Sequence, residues 1–229
     1  MKTKPKILPM LTAAVFALAA LPHVRSANEA GQAEKEGVIQ AANLIFAGTH
    51  TSRCFSDEFL GIAQRETGIP VARRFTSVKL DSEELFEYPF VMMTGEQEFS
   101  FSHTERENLK RYLDRGGFLL ASAGCSSRPW GDAFRREING LFEDTRLVHL
   151  DMDHPLWKTV YDIESVELTR PGGEVRISGL ERNGKLVTVF SPEGLNESAK
   201  VDGCCCCGGN EIRNAGEIVV NILVYALLY

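Results

Sequence analysis

Long apolar runs are scarce in this chain of 229 residues. The longest, residues 7–21, has 15 residues without a charge, whereas a helix needs about 20 to cross a bilayer. The C-terminal apolar run, residues 218–229, is shorter and contains Asn221, so it predicts a buried core helix. Outside the N-terminal segment, the sequence therefore predicts no membrane span.

Positive charge is also scarce. The chain has 25 Lys and Arg against 31 Asp and Glu. Four of the basic residues and no acidic residue lie in the first 26 positions, which leaves 21 basic against 31 acidic residues, a net charge of −10. A net-acidic globule repels phosphate backbones, and no basic stripe with interleaved aromatic residues occurs in the sequence. We therefore expect no nucleic-acid partner.

The N-terminus has the three parts of a secretory signal peptide. Three lysines precede the apolar run of residues 7–21, and Ser26 supplies the small side chain that signal peptidase requires. We expect a signal peptide of residues 1–26, a flexible lead-in of residues 27–37 and one domain of residues 38–229. The mature protein is predicted to be periplasmic or secreted.

The first part of the domain contains strand and helix signals in alternation. Residues 38–47 and 71–80 are predicted strands. Between them, residues 56–67 predict a helix, with Ser56 as its N-cap and Gly68 as its stop.

A strand–helix–strand unit follows. Residues 88–94 and 118–123 are continuous apolar runs, which are typical of strands buried on both faces. Ser102 and Glu105 form the capping box of the intervening amphipathic helix. This arrangement indicates a βαβ unit and hence a parallel sheet.

Later segments continue and then change the pattern. A helix and a strand repeat the βαβ order, an antiparallel hairpin around Asn183-Gly184 lies at the sheet edge, and a helix closes the fold. The helices are predicted at 132–142 and 214–228, and the strands at 146–150, 174–181 and 185–191.

Five runs in this order, YPFVMMTG, LKRYLDRGGFLLAS, FRREI, DHPLW and NILVYALLY, resemble the domain-of-unknown-function family 4159 (DUF4159) over residues 38–229. The resemblance implies a fold of the class I glutamine-amidotransferase-like and flavodoxin-like group, an α/β three-layer αβα sandwich around a mostly parallel sheet. It implies no established activity. Family members occur in bacterial gene clusters with AAA+ ATPases and von Willebrand factor A proteins, which suggests a protein partner of that kind. Members often carry His where this chain has Glu96, so that residue's role is not carried over.

Polar residues follow a glycine at the ends of three predicted strands: Gly48-Thr49-His50, Gly95-Glu96-Gln97 and Gly124-Cys125-Ser126. The carboxyl ends of parallel strands share one edge, where open α/β sheets bind ligands. We therefore expect a binding crevice there. The alternative is that each glycine only permits a tight turn.

Cys125 is the candidate nucleophile, because amidotransferase-like folds place one after the corresponding strand and small residues flank it, as a sharp nucleophile turn requires. Glu96 is a candidate partner at the same edge. Against catalysis, the His-x-Glu pair of amidotransferases is missing, and we expect no helix to start directly after Cys125. A buried inert thiol, or a disulfide with Cys54, are the alternatives.

His154 lies in the turn Asp153-His154-Pro155, before Trp157. A histidine there can act as a base or a ligand, but without a located partner we favour a structural role.

The segment of residues 204–207 consists of four consecutive cysteines, Cys204, Cys205, Cys206 and Cys207. Disulfides or buried thiols are the first interpretation in an exported chain. A soft metal such as Cu(I) or Zn(II) is the alternative, although four adjacent residues hardly close a tetrahedral site. No other cofactor is expected.

Three functions follow from the sequence. The first is a non-catalytic binding or interaction domain. The second is a hydrolase or transferase that uses Cys125, with His154 or Glu96 as a partner. The third is a thiol- or metal-handling protein that uses residues 204–207.

Overall fold

The computed structural model describes residues 37–48, 50, 55–169, 175–195 and 212–229. Its strands form one seven-stranded sheet in the order β2-β1-β3-β4-β7-β6-β5. In chain order they are β1 Ala41–Ile45, β2 Thr76–Lys79, β3 Phe90–Gly95, β4 Phe118–Ala123, β5 Val148–His149, β6 Ser178–Arg182 and β7 Lys185–Ser191. Strands β2, β1, β3, β4 and β7 are parallel, and β6 and β5 continue the sheet with antiparallel pairing.

Helices cover both faces of this sheet. The four α-helices are α1 Glu58–Thr67, α2 His103–Asp114, α3 Arg128–Asn139 and α4 Ala215–Leu228. Helices α1 and α4 pack against each other on one face, and α2 and α3 cover the other. The predicted three-layer αβα sandwich with an antiparallel sheet edge is therefore confirmed.

Strands β3 and β4 form the centre of the sheet because apolar side chains occupy both of their faces. Phe90 and Phe118 stack on the α1/α4 side, with ring centroids 5.8 Å apart. Val91 and Leu119 point to the α2/α3 side. An uninterrupted apolar sequence is what a strand buried on both faces requires.

The capping box at the start of α2 is present. Ser102 Oγ accepts a hydrogen bond from the Glu105 N–H (3.2 Å), and Glu105 Oε2 accepts one from the Ser102 N–H (2.7 Å). Glu105 Oε1 also accepts a bond from the Ala47 N–H (2.6 Å). One buried carboxylate thus joins the loop after β1 to the loop after β3.

The prediction that the strand after α3 continues the parallel βαβ pattern is wrong, because that strand, β5, has a different neighbour in the sheet. Strand β5 does not lie beside β4; it forms the outer edge of the sheet and pairs antiparallel with β6. The place beside β4 belongs to β7, whose residues 186–191 are all buried, whereas both residues of β5 are exposed. The more apolar strand takes the interior position because burial stabilises it more.

Two predicted helix starts also differ. Helix α3 begins at Arg128, four residues before the predicted 132 and three residues after Cys125. Ser127 is its N-cap and Pro129 lies in its first turn, a start signal that the prediction missed. Helix α1 begins at Glu58 and its N-cap is Asp57, so the predicted N-cap Ser56 is wrong by one residue; Ser56 Oγ nevertheless accepts a bond from the Glu58 N–H (3.2 Å).

Asn221, the polar residue in the apolar sequence of α4, forms hydrogen bonds with the backbone of a neighbouring segment. Its side chain is fully buried; Oδ1 accepts bonds from the N–H groups of Val160 and Tyr161 (3.1 and 2.9 Å), and Nδ2 donates to the Tyr161 carbonyl (2.8 Å).

Within the described residues, no helix combines the length and the apolar character needed to cross a membrane.

Candidate functional site

The carboxyl ends of β1, β3, β4 and β7 meet at one edge of the sheet, called here the carboxyl edge. Gly95 pairs with Ala123, and a Cβ at Gly124 would lie 3.0 Å from the Gly95 carbonyl oxygen. Gly48 follows β1, with φ +85°. The three glycines therefore lie at the same edge, as the parallel sheet predicted. The strand order reverses between β1 and β3, the position where open α/β sheets bind ligands.

The turn after β4 has a strained backbone. Cys125 (φ 50°, ψ 31°) and Ser126 (φ 52°) are consecutive non-glycine residues in the left-handed region. Each such residue costs on the order of 1–3 kcal/mol, and the conformation persists only where the surrounding structure holds it. The segment Gly124–Ser126, called here the elbow, is therefore held in a conformation that it would not adopt alone.

Hydrogen bonds from neighbouring loops hold the elbow. Ser127 Oγ donates to the Glu96 carbonyl, and Ser126 Oγ donates to Glu193 Oε2 (2.5 Å). The Gly194 N–H donates back to Ser126 Oγ (3.3 Å). The loop after β3 and the turn after β7 thus fix the elbow from both sides.

The elbow presents the Cys125 thiol to a carboxylate. Cys125 Sγ lies 3.6 Å from Glu96 Oε1 and is oriented as a donor to it. In this geometry the thiol is the donor and the carboxylate the acceptor. Of the predicted catalytic residues, the structure therefore brings Cys125 and Glu96 together.

His50 lies at the same edge but makes different contacts. Its backbone exchanges hydrogen bonds with Phe46 (2.8 and 2.9 Å), and its ring centroid lies 6.2 Å from that of Phe46. The local role of His50 is to close the turn after β1. Thr49, the remaining member of the predicted crevice, lies outside the described residues.

His154 is placed elsewhere. Its Nδ1 accepts a bond from the Leu156 N–H (3.2 Å), and its ring packs on Tyr225 with centroids 5.3 Å apart. Burial lowers the pKa of His154, although Glu181 and Asp153 act in the opposite direction.

The position of Glu181 locates this histidine in the sheet. Glu181 pairs with Leu186, and Ser191 at the carboxyl edge lies five residues further along β7, about 16 Å at the usual rise per residue. His154 therefore lies towards the opposite edge of the sheet, in a capping and packing role.

Gly95 has a packing reason of its own. A Cβ there would lie 2.5 Å from Trp130 Nε1 and 2.7 Å from Trp130 Cδ1. The indole is buried, and Nε1 has no hydrogen-bond partner among the described residues. The absence of a side chain at Gly95 is therefore what admits the ring, which favours the structural interpretation of this glycine.

Sequence reasoning missed the residues that β7 contributes. Ser191-Pro192-Glu193-Gly194 is a strand end followed by polar and turn residues, as at the other three strands. It was overlooked because the hairpin was expected at the sheet edge, whereas β7 is a member of the parallel set. Ser191 Oγ donates to the Glu193 carbonyl (2.6 Å), and Ser122 Oγ accepts from the Leu195 N–H (3.0 Å).

The cysteine-rich segment, residues 204–207, and Cys54 lie outside the described residues, so the disulfide and metal hypotheses stay predictions. Within the part of the chain that the structure describes, no three His, Cys, Asp or Glu side chains are grouped as metal ligands would be.

A family model described as "Domain of unknown function (DUF4159)" matches residues 49–227. No curated protein matches the chain.

Proposed function

Because the chain belongs to the DUF4159 family, whose description names no activity, we propose its function from the geometry of the carboxyl edge. The protein is a non-catalytic binding or interaction domain of the amidotransferase-like and flavodoxin-like type. Its site is the crevice at the carboxyl edge, where Cys125 is a contact group and not a nucleophile. Its place of action is the periplasm or the exterior of the cell.

The contact between Cys125 Sγ and Glu96 Oε1, at 3.6 Å, carries this proposal. Catalytic thiols are activated by a base or a positive charge, which favours the thiolate. A carboxylate does the reverse, because it favours the protonated thiol as a hydrogen-bond donor. The arrangement suits recognition by a neutral thiol, a carboxylate and the surrounding hydroxyl groups.

The rate at which iodoacetamide alkylates Cys125 tests the proposal. Mass spectrometry of the tryptic peptide 116–135 isolates this site, because the peptide contains one cysteine. We expect slow alkylation of the wild type at pH 7. Glu96→Gln should accelerate it about fivefold, since two charges about 4 Å apart at a solvated site repel by about 1 kcal/mol.

Glu98→Gln is the matched control, because Glu98 is a neighbouring exposed acid that pairs with Arg136 (3.4 Å). It should leave the rate at Cys125 unchanged. Alkylation faster than that of free cysteine at pH 6–7, together with a slower rate in Glu96→Gln, would contradict the proposal and identify an activated nucleophile.

The second candidate function is a Cys125-dependent hydrolase or transferase. The elbow favours it, because the positive φ of Cys125 and the start of α3 at Arg128 resemble a strand–nucleophile–helix turn. An enzyme of this type should release a burst of one p-nitrophenol per chain from p-nitrophenyl acetate, and Cys125→Ser should abolish the burst.

The third candidate, thiol or metal handling by residues 204–207, stays a prediction. Native and alkylated mass spectrometry of the mature protein reports disulfides, bound metal and the N-terminus together. We expect a mature chain that begins near Ala27. Intact Met1 on membrane-bound material would contradict export.

A further inference from the structure

A pocket of about 250 Å³ lies at the edge of the sheet opposite the carboxyl edge, where β3 and β4 begin. Residues of the segment before β3 and of the end of α2 line it. They are Phe86, Tyr88, Pro89, Tyr112, Arg115 and the Gly116–Gly117 turn. None of these residues belongs to the crevice of the proposed function, so the pocket is separate from that site.

The backbone groups around this pocket are already engaged. The N–H groups of Gly116 and Gly117 donate to carbonyls in the last turn of α2 (3.1 and 3.0 Å). The Tyr88 carbonyl accepts from the Tyr112 hydroxyl (2.8 Å), and the Pro89 carbonyl accepts from the first N–H of β4 (3.0 Å). The side chains therefore decide which class of ligand the pocket takes.

Arg115 is the one charged side chain among the residues that line the pocket. Its guanidinium carbon lies 4.9 Å from the centroid of the Phe86 ring. No carboxylate of the described residues pairs with it: Glu83 pairs with Arg111 (3.2 Å), and Asp114 pairs with an arginine of β6 (3.0 Å). A guanidinium that stacks on a ring keeps its planar N–H donors for a carboxylate, which it can bind through two parallel hydrogen bonds.

The rest of the lining is aromatic and apolar. The rings of Phe86 and Tyr112 are tilted by 58°, with centroids 6.4 Å apart, and Tyr88 and Pro89 complete the surface. Such walls favour a further aromatic ring, because the edges and faces of rings attract one another in tilted or offset contacts. The volume is below the roughly 300–1,000 Å³ of pockets for drug-sized ligands, which leaves room for about one ring.

From the unpaired guanidinium and the aromatic walls we propose that the pocket binds a small arylcarboxylate, a molecule with one aromatic ring and one carboxylate. Arg115 holds the carboxylate, and the ring lies against the aromatic side chains. The ligand joins the segment before β3 to the end of α2, two parts of the chain that meet only in the native fold. Its binding therefore stabilises the folded protein by mass action.

Calorimetric titration of the purified protein with benzoate, phenylacetate and 3-phenylpropionate tests the proposal. Acetate supplies the carboxylate without a ring, and the corresponding amides supply the ring without a charge. We expect saturable binding of at least one arylcarboxylate, and binding at least tenfold weaker for acetate and for the matching amide. The same arylcarboxylate should raise the melting temperature of the protein.

Arg115→Gln should weaken binding of the arylcarboxylate at least tenfold and abolish the rise in melting temperature. Arg115 is exposed, so the variant without ligand should melt like wild type, which separates a binding defect from a folding defect. Lys110→Gln is the matched control. It removes the same charge from α2 at a residue that lies over the Phe142 ring instead (6.0 Å), and it should leave binding unchanged.

The proposal is overturned if none of the three acids binds, or if Arg115→Gln binds them like wild type. An amide that binds as tightly as its acid would contradict it, since the pocket would then be only an apolar surface. Acetate that binds as tightly as the arylcarboxylates would contradict it too, since the site would then hold an adventitious ion only. Equal weakening by Lys110→Gln would reduce the effect of Arg115 to net charge and also overturn the assignment.

Discussion

The two edges of the sheet use the same device, a glycine beneath an aromatic ring, with different results. The amino edge is the opposite one, where the parallel strands begin. Gly117 lies there, directly before β4, and a Cβ at Gly117 would lie 2.3 Å from the Tyr112 ring. The hydroxyl of Tyr112 donates to the carbonyl oxygen of Tyr88 (2.8 Å) and lies 3.2 Å from the carbonyl oxygen of Phe118. At the carboxyl edge, Gly95 admits Trp130 in the same way, but the indole N–H has no partner among the described residues.

At the carboxyl edge, backbone strain and buried polar groups without partners among the described residues occur together. Thr94 Oγ1, next to Gly95, is also buried without a hydrogen-bond partner among the described residues, and the left-handed elbow lies beside it. At the amino edge Tyr112 satisfies its buried hydroxyl, although Thr188 Oγ1, opposite Leu119 in the body of the sheet, is buried without a hydrogen-bond partner among the described residues. Natural proteins tend to depart from ideal geometry where they function, so this difference favours the carboxyl edge as the site and the amino edge as a stabilising closure.

The largest expected effect is that of Gly117→Ala. The added methyl would displace the Tyr112 ring and break the hydroxyl's bonds, so we expect the free energy of unfolding to fall by at least about 3 kcal/mol. Gly95→Ala adds the same methyl against a ring that has no hydrogen bond to lose, and should cost about 1–3 kcal/mol. Urea denaturation measures both. A larger loss for Gly95→Ala would reverse the comparison.

Tyr112→Phe isolates the hydroxyl and should cost about 1–3 kcal/mol, because a buried carbonyl loses its donor. Burial raises the pKa of Tyr112 above its ordinary value of 10. The neutral hydroxyl therefore contributes stability that is complete below pH 10 and lost as pH rises above it. The slope is at most about 1.4 kcal/mol per pH unit.

Urea denaturation from pH 9 to 11 checks the Tyr112 prediction. The difference between wild type and Tyr112→Phe should shrink as the pH rises through this range. A difference that stays constant would show that the Tyr112 hydroxyl does not ionise on unfolding.

The smallest expected effect is an increase in the free energy of unfolding when the backbone strain of the elbow is relieved. Cys125→Gly should raise the free energy of unfolding by about 0.5–1 kcal/mol relative to Cys125→Ala, because glycine relieves the left-handed strain at some entropic cost. Cys125→Ala controls for loss of the thiol. Equal stability of the two variants would mean that the elbow stores no strain.

Sequence reasoning succeeded where the signals were local. The capping box of Ser102 and Glu105, the buried strands β3 and β4, and the Asn183-Gly184 hairpin are each specified by neighbouring residues. It also placed Cys125 and Glu96 at one edge, since parallel strands share their carboxyl ends.

It failed where the answer depends on pairing between distant strands. Whether β5 or β7 lies beside β4 is decided by burial, which no short window contains. The role of Glu193 depended on that choice. The position of His154 also depended on distant packing, because α4 provides Tyr225 as its neighbour.

The outer strands have a consequence for association between chains. Strand β5 has two residues, and β2 has four, of which Thr76, Ser77 and Lys79 are exposed. Short outer strands that carry lysine offer a second sheet few backbone groups to pair with. In its described part, the molecule is therefore protected against edge-to-edge aggregation, and its contacts with other proteins are expected through loops and helices instead of through sheet extension.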